Sequence, residues 1–256
     1  MIFAIARKEL KTLFTSPMAW AVLTFMQLIL AYFFLRRVQD YMEIQAQLIQ
    51  MPNPPGVTEL VIAPLYLTIV TMMLFVVPLL TMRLIAEERR NQTMVFLISA
   101  PLSMTQIVIG KFTGLTAFLL LIIGITTLMP LSLLLAGQLD FGLLASLSGG
   151  VALLAACFVA IGLYASCLTV HPFIAAVVSF CILLALLLAG DAAVDGLKAR
   201  GWTIAAALAQ VLSPFKNFEP FSKGVIDSYA IACLLLLIVL FLILTIRRLD
   251  AARLRG

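Results

Sequence analysis

Apolar runs recur along this chain at about residues 18–35, 64–82, 107–135, 145–169, 173–189 and 229–246. Several exceed the 18 residues that carry a helix through a bilayer. A backbone in lipid must satisfy its own hydrogen bonds, so runs of this kind are helices. The expected fold is an all-α polytopic membrane protein with six transmembrane helices. With 63% hydrophobic and 11% charged residues in 256, the polar intervals are too short for a soluble domain. Residues 1–256 therefore read as a single transmembrane domain.

The polar residues that remain sit between the runs and set the orientation. Residues 1–14 are amphipathic: Ile2, Phe3, Ile5, Leu10, Leu13 and Phe14 oppose Arg7, Lys8 and Lys11, with Glu9 among them. Such a segment is expected to lie along a membrane surface. Arg83, Arg89, Arg90, Lys111 and the arginines at 247, 248, 253 and 255 fall on the same side as this segment in a six-span layout. Only Arg36, Arg37, Lys198, Arg200, Lys216 and Lys223 fall opposite. Basic residues favour the cytoplasmic side, which puts both termini inside. The net charge of +5 is explained this way and not by nucleic acid, because the basic residues cluster at the ends of apolar runs.

The longest stretch of chemistry runs from Arg83 to Lys111. Glu87, Glu88, Arg89 and Arg90 fall within one helical turn, and the spacing of Glu87 and Arg90 allows them to pair. A helix is expected over about residues 87–99, apolar from Met94 to Ile98 and ended by Pro101. Ser103 followed by Gln106 is a capping box that starts the next span. On the opposite side, Leu197 to Leu212 reads as one interfacial helix, and Ser213-Pro214 opens a shorter one through Phe215, Phe218 and Phe221. Small residues at Ala152, Ala156, Ala160, Gly162 and Ser166 suit close packing, within the subunit or across a dimer.

What is missing matters as much. The span interiors are expected to hold no Asp, Glu, Lys, Arg or His, the groups that ion-coupled carriers use within the membrane. His171, the only histidine, precedes a proline and reads as a helix start. The four cysteines at 157, 167, 181 and 233 lie in apolar runs and read as packing residues. No nucleotide-gripping loop or metal-ligand spacing is present, and Leu147-Ser148-Gly149-Gly150 in an apolar span reads as a chance match to an ATPase signature. The chain is expected to be no enzyme and to bind no catalytic group, metal or cofactor itself. Its energy would come from a partner. The alternatives are a gradient-driven carrier or channel, and a non-transporting membrane scaffold.

Three segments carry a resemblance. Ala6 to Met18, then Glu87-Glu-Arg-Arg-Asn-Gln-Thr-Met94 with Ser99-Ala-Pro-Leu-Ser103 and Gly110-Lys-Phe112, then Phe218 to Tyr229 with Arg247-Arg248, together resemble the permease subunit of type-2 ATP-binding-cassette (ABC) transporters, in particular the gliding-motility branch. The resemblance implies a half-transporter in a bacterial cytoplasmic (inner) membrane, paired with a second identical or related permease and two cytoplasmic ATPase subunits. These subunits would hold the ATP and Mg; an external accessory protein is an optional further partner, and no nucleic acid is involved. It further implies an ATPase-coupling helix carrying Glu87, Glu88, Arg89, Arg90, Asn91, Gln92, Thr93, Met94, Phe96 and Leu97, and an interfacial helix carrying Arg7, Lys8, Glu9 and Lys11. Residues 197–226 would be external re-entrant helices, with a motif of Phe218, Glu219, Pro220, Phe221, Gly224 and Asp227. A lipid-like, glycan-lipid or peptide cargo, or a mechanical output, fits an apolar path. One departure is Gln92 where the family commonly has glycine, which implies a more continuous coupling helix.

Overall fold

The computed structural model describes residues 1–48, 56–92, 103–133 and 139–253. In chain order these form α1 (Ile2–Thr15), α2 (Pro17–Leu48), a π-helical turn (Thr58–Ile62) running into α3 (Ala63–Thr81), and the short α4 (Ala86–Arg90). Then come α5 (Met104–Ser132), α6 (Phe141–Leu168), α7 (Pro172–Ala199), α8 (Thr203–Val211), α9 (Pro214–Ser222) and α10 (Ser228–Arg253). The protein is an all-helical, multi-pass membrane protein, with no strand among the described residues.

Among the described residues five helices are long and apolar enough to cross a bilayer; α7 is apolar over the shorter stretch Pro172–Leu188. Several are longer than their apolar runs. α2 continues through the Arg36–Asp40 pair to Leu48, which at 1.5 Å per residue makes it about 48 Å long and carries it beyond a hydrocarbon core of about 30 Å. α3 is entered without a break from the π turn, with Pro64 in its first turn. Gly201, at φ +75°, takes a left-handed conformation that suits glycine and divides α7 from α8. The single helix expected over Leu197–Leu212 is thereby two.

α6 is the centre. In its most apolar stretch 72% of residues are buried, against 22% for α2 and 33% for α10, and α3, α5, α7, α9 and α10 all pack on it. Its small residues explain this. A Cβ added to Gly162 would lie 2.7 Å from Thr81 Cγ2, so α3 and α6 touch at backbone distance. The small-residue face thus finds a partner inside the subunit. Farther along the span, α5 is tied to α2 by Gln27 Nε2 donating to Thr126 Oγ1 at 2.9 Å and to α3 by the Tyr66 and Thr127 hydroxyls at 2.9 Å. Cys157, Cys167 and Cys233 are buried as expected, but Cys181 is exposed and fills no core position.

Candidate functional site

Glu9, Glu88 and Lys111, distant in sequence, converge at one end of the bundle, and glycine makes this possible. Gly110 and Gly114 lie one turn apart on α5, where α1 crosses it. A Cβ on Gly110 would meet Ile5 Cβ at 2.7 Å, and one on Gly114 would meet Glu9 Cβ at 2.9 Å and the Ala6 carbonyl at 3.0 Å. No side chain fits between the two helices at these positions. The approach brings Glu9 onto Lys111, the residue after Gly110, with Lys111 Nζ donating to Glu9 Oε1 at 2.8 Å. The same ammonium donates to Glu88 Oε1 of α4 at 2.7 Å. Lys111 is 2% exposed. A buried ammonium survives only when paired and hydrogen-bonded, and two carboxylates supply both needs.

This corrects the expectation that the spans contain no charge: Lys111 lies in the first part of α5 and is buried. It also corrects the picture of the amino-terminal helix as only a surface float. Arg7, Lys8 and Lys11 remain exposed, whereas Glu9 turns inward and Phe14 packs edge-on against Phe118 of α5, ring centres 5.4 Å apart. The end of α1 is closed by Trp20, whose Nε1 donates to the Phe14 carbonyl at 2.7 Å. Between α1 and α4 a cavity of about 280 Å³ is lined by Lys8, Glu9, Arg83, Glu87, Glu88 and Lys111, among others.

α4 is fixed from the other side by α6. Ser166 Oγ accepts from the Ile85 and Ala86 amides at 3.2 and 3.0 Å and donates to the Met82 carbonyl at 3.3 Å. One hydroxyl thus satisfies the end of α3 and the start of α4. Arg89 Nη1 donates to the Cys167 carbonyl at 3.0 Å, capping the carboxy-terminal turn of α6 with a cation. Glu87 faces Arg83 at 3.9 Å, a partner other than the Arg90 expected from spacing. α4 ends at Arg90, and Gln92 stands at φ +56°. The continuous helix expected over residues 87–99 is therefore broken at 91–92, and Gln92 adopts the left-handed geometry that a glycine there would favour. Thr93, Met94, Phe96 and Leu97 lie outside the described residues. The capping box at Ser103 and Gln106 is present, with Ser103 Oγ accepting from the Gln106 amide at 3.2 Å.

The motif at the other end of the bundle is held differently. Phe218 and Phe221 of α9 are buried over Gly150 of α6, where an added Cβ would lie 2.7 Å from Phe221 Cβ. The Leu147–Gly150 segment thus has a packing role. Ser146 Oγ donates to the Phe221 carbonyl at 3.1 Å. α9 ends with Gly224 at φ +77°, its amide on the Phe221 carbonyl at 3.1 Å and the Val225 amide on the Pro220 carbonyl at 3.0 Å, a left-handed helix stop that calls for glycine. Asp227 Oδ1 then accepts from the Tyr229 amide at 3.0 Å at the start of α10, and Glu219 pairs with Lys223 at 2.8 Å. Trp202, just before α8, and Ile204 and Leu208 on it are exposed.

Sequence reasoning found Glu9, Glu88 and Lys111 separately and missed that they form one cluster. The signal was present in Gly110-x-x-x-Gly114, a close-packing spacing that brackets the lysine. Among the described residues no group of His, Cys, Asp and Glu is placed to hold a metal ion. A family model described as "ABC-2 family transporter protein" matches residues 3–254. No curated protein matches the chain.

Proposed function

The chain belongs to the ABC-2 family of transporter proteins, the membrane permease component of an ABC transporter, and from that premise we propose that the α1–α4–α5 end is where ATPase subunits drive it. The family implies partnership with ATPase subunits. The reading here is finer: both termini are cytoplasmic, six spans cross the bacterial inner membrane, and α4 is the start of the coupling helix. Two permeases, identical or related, and two ATPases form the working unit. ATP and Mg are bound by the partner, and this chain hydrolyses nothing.

The observation that carries the reading is the Lys111 cluster. α4 and α1 are far apart in sequence, yet each sends one carboxylate to the same buried ammonium on α5. A push on α4 therefore cannot leave α1 and α5 behind without exposing or orphaning a buried charge, which costs several kcal/mol. Ser166 and Arg89 pass the same push to α6, the central helix. ATP-driven closure of the partner subunits would in this way bias the whole bundle between two states. A lysine neutralised at the end of a span, close to the polar segment, gives no support to ion-coupled transport. Lipid-linked, peptide and mechanical outputs are all compatible with this drive, as is a place in the gliding-motility branch.

The test reads motion at the far end. A cysteine at Lys223 should change its labelling rate when ATP is added to the reconstituted complex. Adding Glu88→Ala should abolish that change while ATP hydrolysis continues. An ATP-dependent change that persists unaltered in Glu88→Ala would remove α4 as the coupling element.

A further inference from the structure

Two cavities meet at the α9 end, and their chemistry is unequal. The first, about 290 Å³, is a trough floored by Leu67, Val70 and Leu74 of α3, Leu187 of α7 and Phe215 of α9. The α3 residues share one helix face and extend over about 10 Å of axis. The second, about 400 Å³, is the more polar of the two and includes Lys223, Asp227 and Gln210. Lys216 and Glu219 line both, so the charged pair marks the boundary between an apolar slot and a polar chamber. Each volume is of the size of a small-molecule site.

We propose that this continuous groove binds a zwitterionic amphiphile: an acyl-chained phosphodiester whose head group ends in a primary ammonium. The apolar slot takes part of the acyl chain by burying methylenes. The polar chamber balances two cations, Lys216 and Lys223, against two carboxylates, Glu219 and Asp227. That balance matches a head carrying one phosphate and one ammonium. A purely anionic head would satisfy the lysines and bring no cation to the carboxylates. A quaternary ammonium has no N–H to give them. The same charges already pair in part, Lys223 Nζ with Glu219 Oε1 at 2.8 Å, so the head group exchanges into an existing network. This assignment is independent of how the complex is powered.

The experiment embeds the complex, without nucleotide, in nanodiscs of equal phosphatidylethanolamine, phosphatidylglycerol and phosphatidylcholine, and counts lipids retained after detergent release by native mass spectrometry. Phosphatidylethanolamine should be enriched about fivefold over either competitor, the factor that one partly exposed ion pair supplies. Glu219→Gln combined with Asp227→Asn, which takes away the carboxylates that receive the ammonium, should remove most of that preference. Thr71→Trp, at an exposed position that lines the slot, should lower retention of all three by filling the space. Equal retention of the three lipids by the unaltered chain, or undiminished retention in Thr71→Trp, overturns the proposal. Because neither ATP nor coupling enters the measurement, its failure leaves the coupling reading standing, and the reverse also holds.

Discussion

The two ends of the bundle are built on the same device, a glycine that lets a helix lie at backbone distance, and they differ in what fills the contact. At the α4 end, Gly110 and Gly114 admit α1, and the neighbouring space holds a buried ammonium with two carboxylates. At the α9 end, Gly150 admits two phenyl rings, and the charges there sit on the rim, with the Lys223 and Glu219 side chains 68% and 53% exposed. Apolar packing tolerates sliding and repacking at modest cost. A buried ion cluster does not, because separating its members leaves a charge in a medium that cannot solvate it. The contrast teaches what each end can do mechanically: the α4 end is suited to move as one piece, and the α9 end to adjust around whatever it meets.

Substitutions can break or sharpen this contrast. The largest effect is expected for Lys111→Met, which leaves Glu9 and Glu88 facing each other without their cation. It should cost about 3–5 kcal/mol, seen as a marked fall in the thermal midpoint of the detergent-solubilised protein. A stability equal to wild type would mean that the cluster is wet and the contrast false. Next come Gly114→Val and Gly150→Val, each overpacking one end at about 1–3 kcal/mol. Their thermal shifts should be similar, whereas only Gly114→Val should also disturb ATP-dependent motion; matched losses of coupling from both would erase the distinction between the ends.

Much of this architecture could be read in advance from local signals. Ser103 and Gln106 form the predicted capping box, and α7 starts at Pro172, because caps and prolines act within a few residues. The misreadings at the charged end are long-range. Lys111 looked like an interfacial charge because its partner Glu9 lies 102 positions away, beyond any periodicity. The break after Arg90 was hidden because α4 is held by Ser166 and Arg89 acting across to α6, which overrides the helical preference of the local sequence. Gly201 was readable as a breaker, and the amphipathic pattern on either side of it obscured the signal.

Two smaller effects probe that override. Ser166→Ala removes the acceptor for the Ile85 and Ala86 amides and should cost about 1–2 kcal/mol, with hydrogen exchange accelerated at residues 85–90 and unchanged at 214–222. Uniform acceleration would show that α4 has no separate anchor. Gln92→Gly relieves a left-handed non-glycine residue and should raise stability slightly, by about 0.4–1 kcal/mol; a lowered thermal midpoint would contradict the assigned backbone.

Coupling through α4 requires the charged end to face the ATPase side, and cysteine labelling tests that most directly. In a Cys181→Ser background, which removes the exposed native thiol, a membrane-impermeant maleimide applied to intact cells should label Lys223→Cys and leave Asn91→Cys untouched until the membrane is permeabilised. Labelling of Asn91→Cys in intact cells, with Lys223→Cys protected, would place the Lys111 cluster on the side no ATPase subunit reaches.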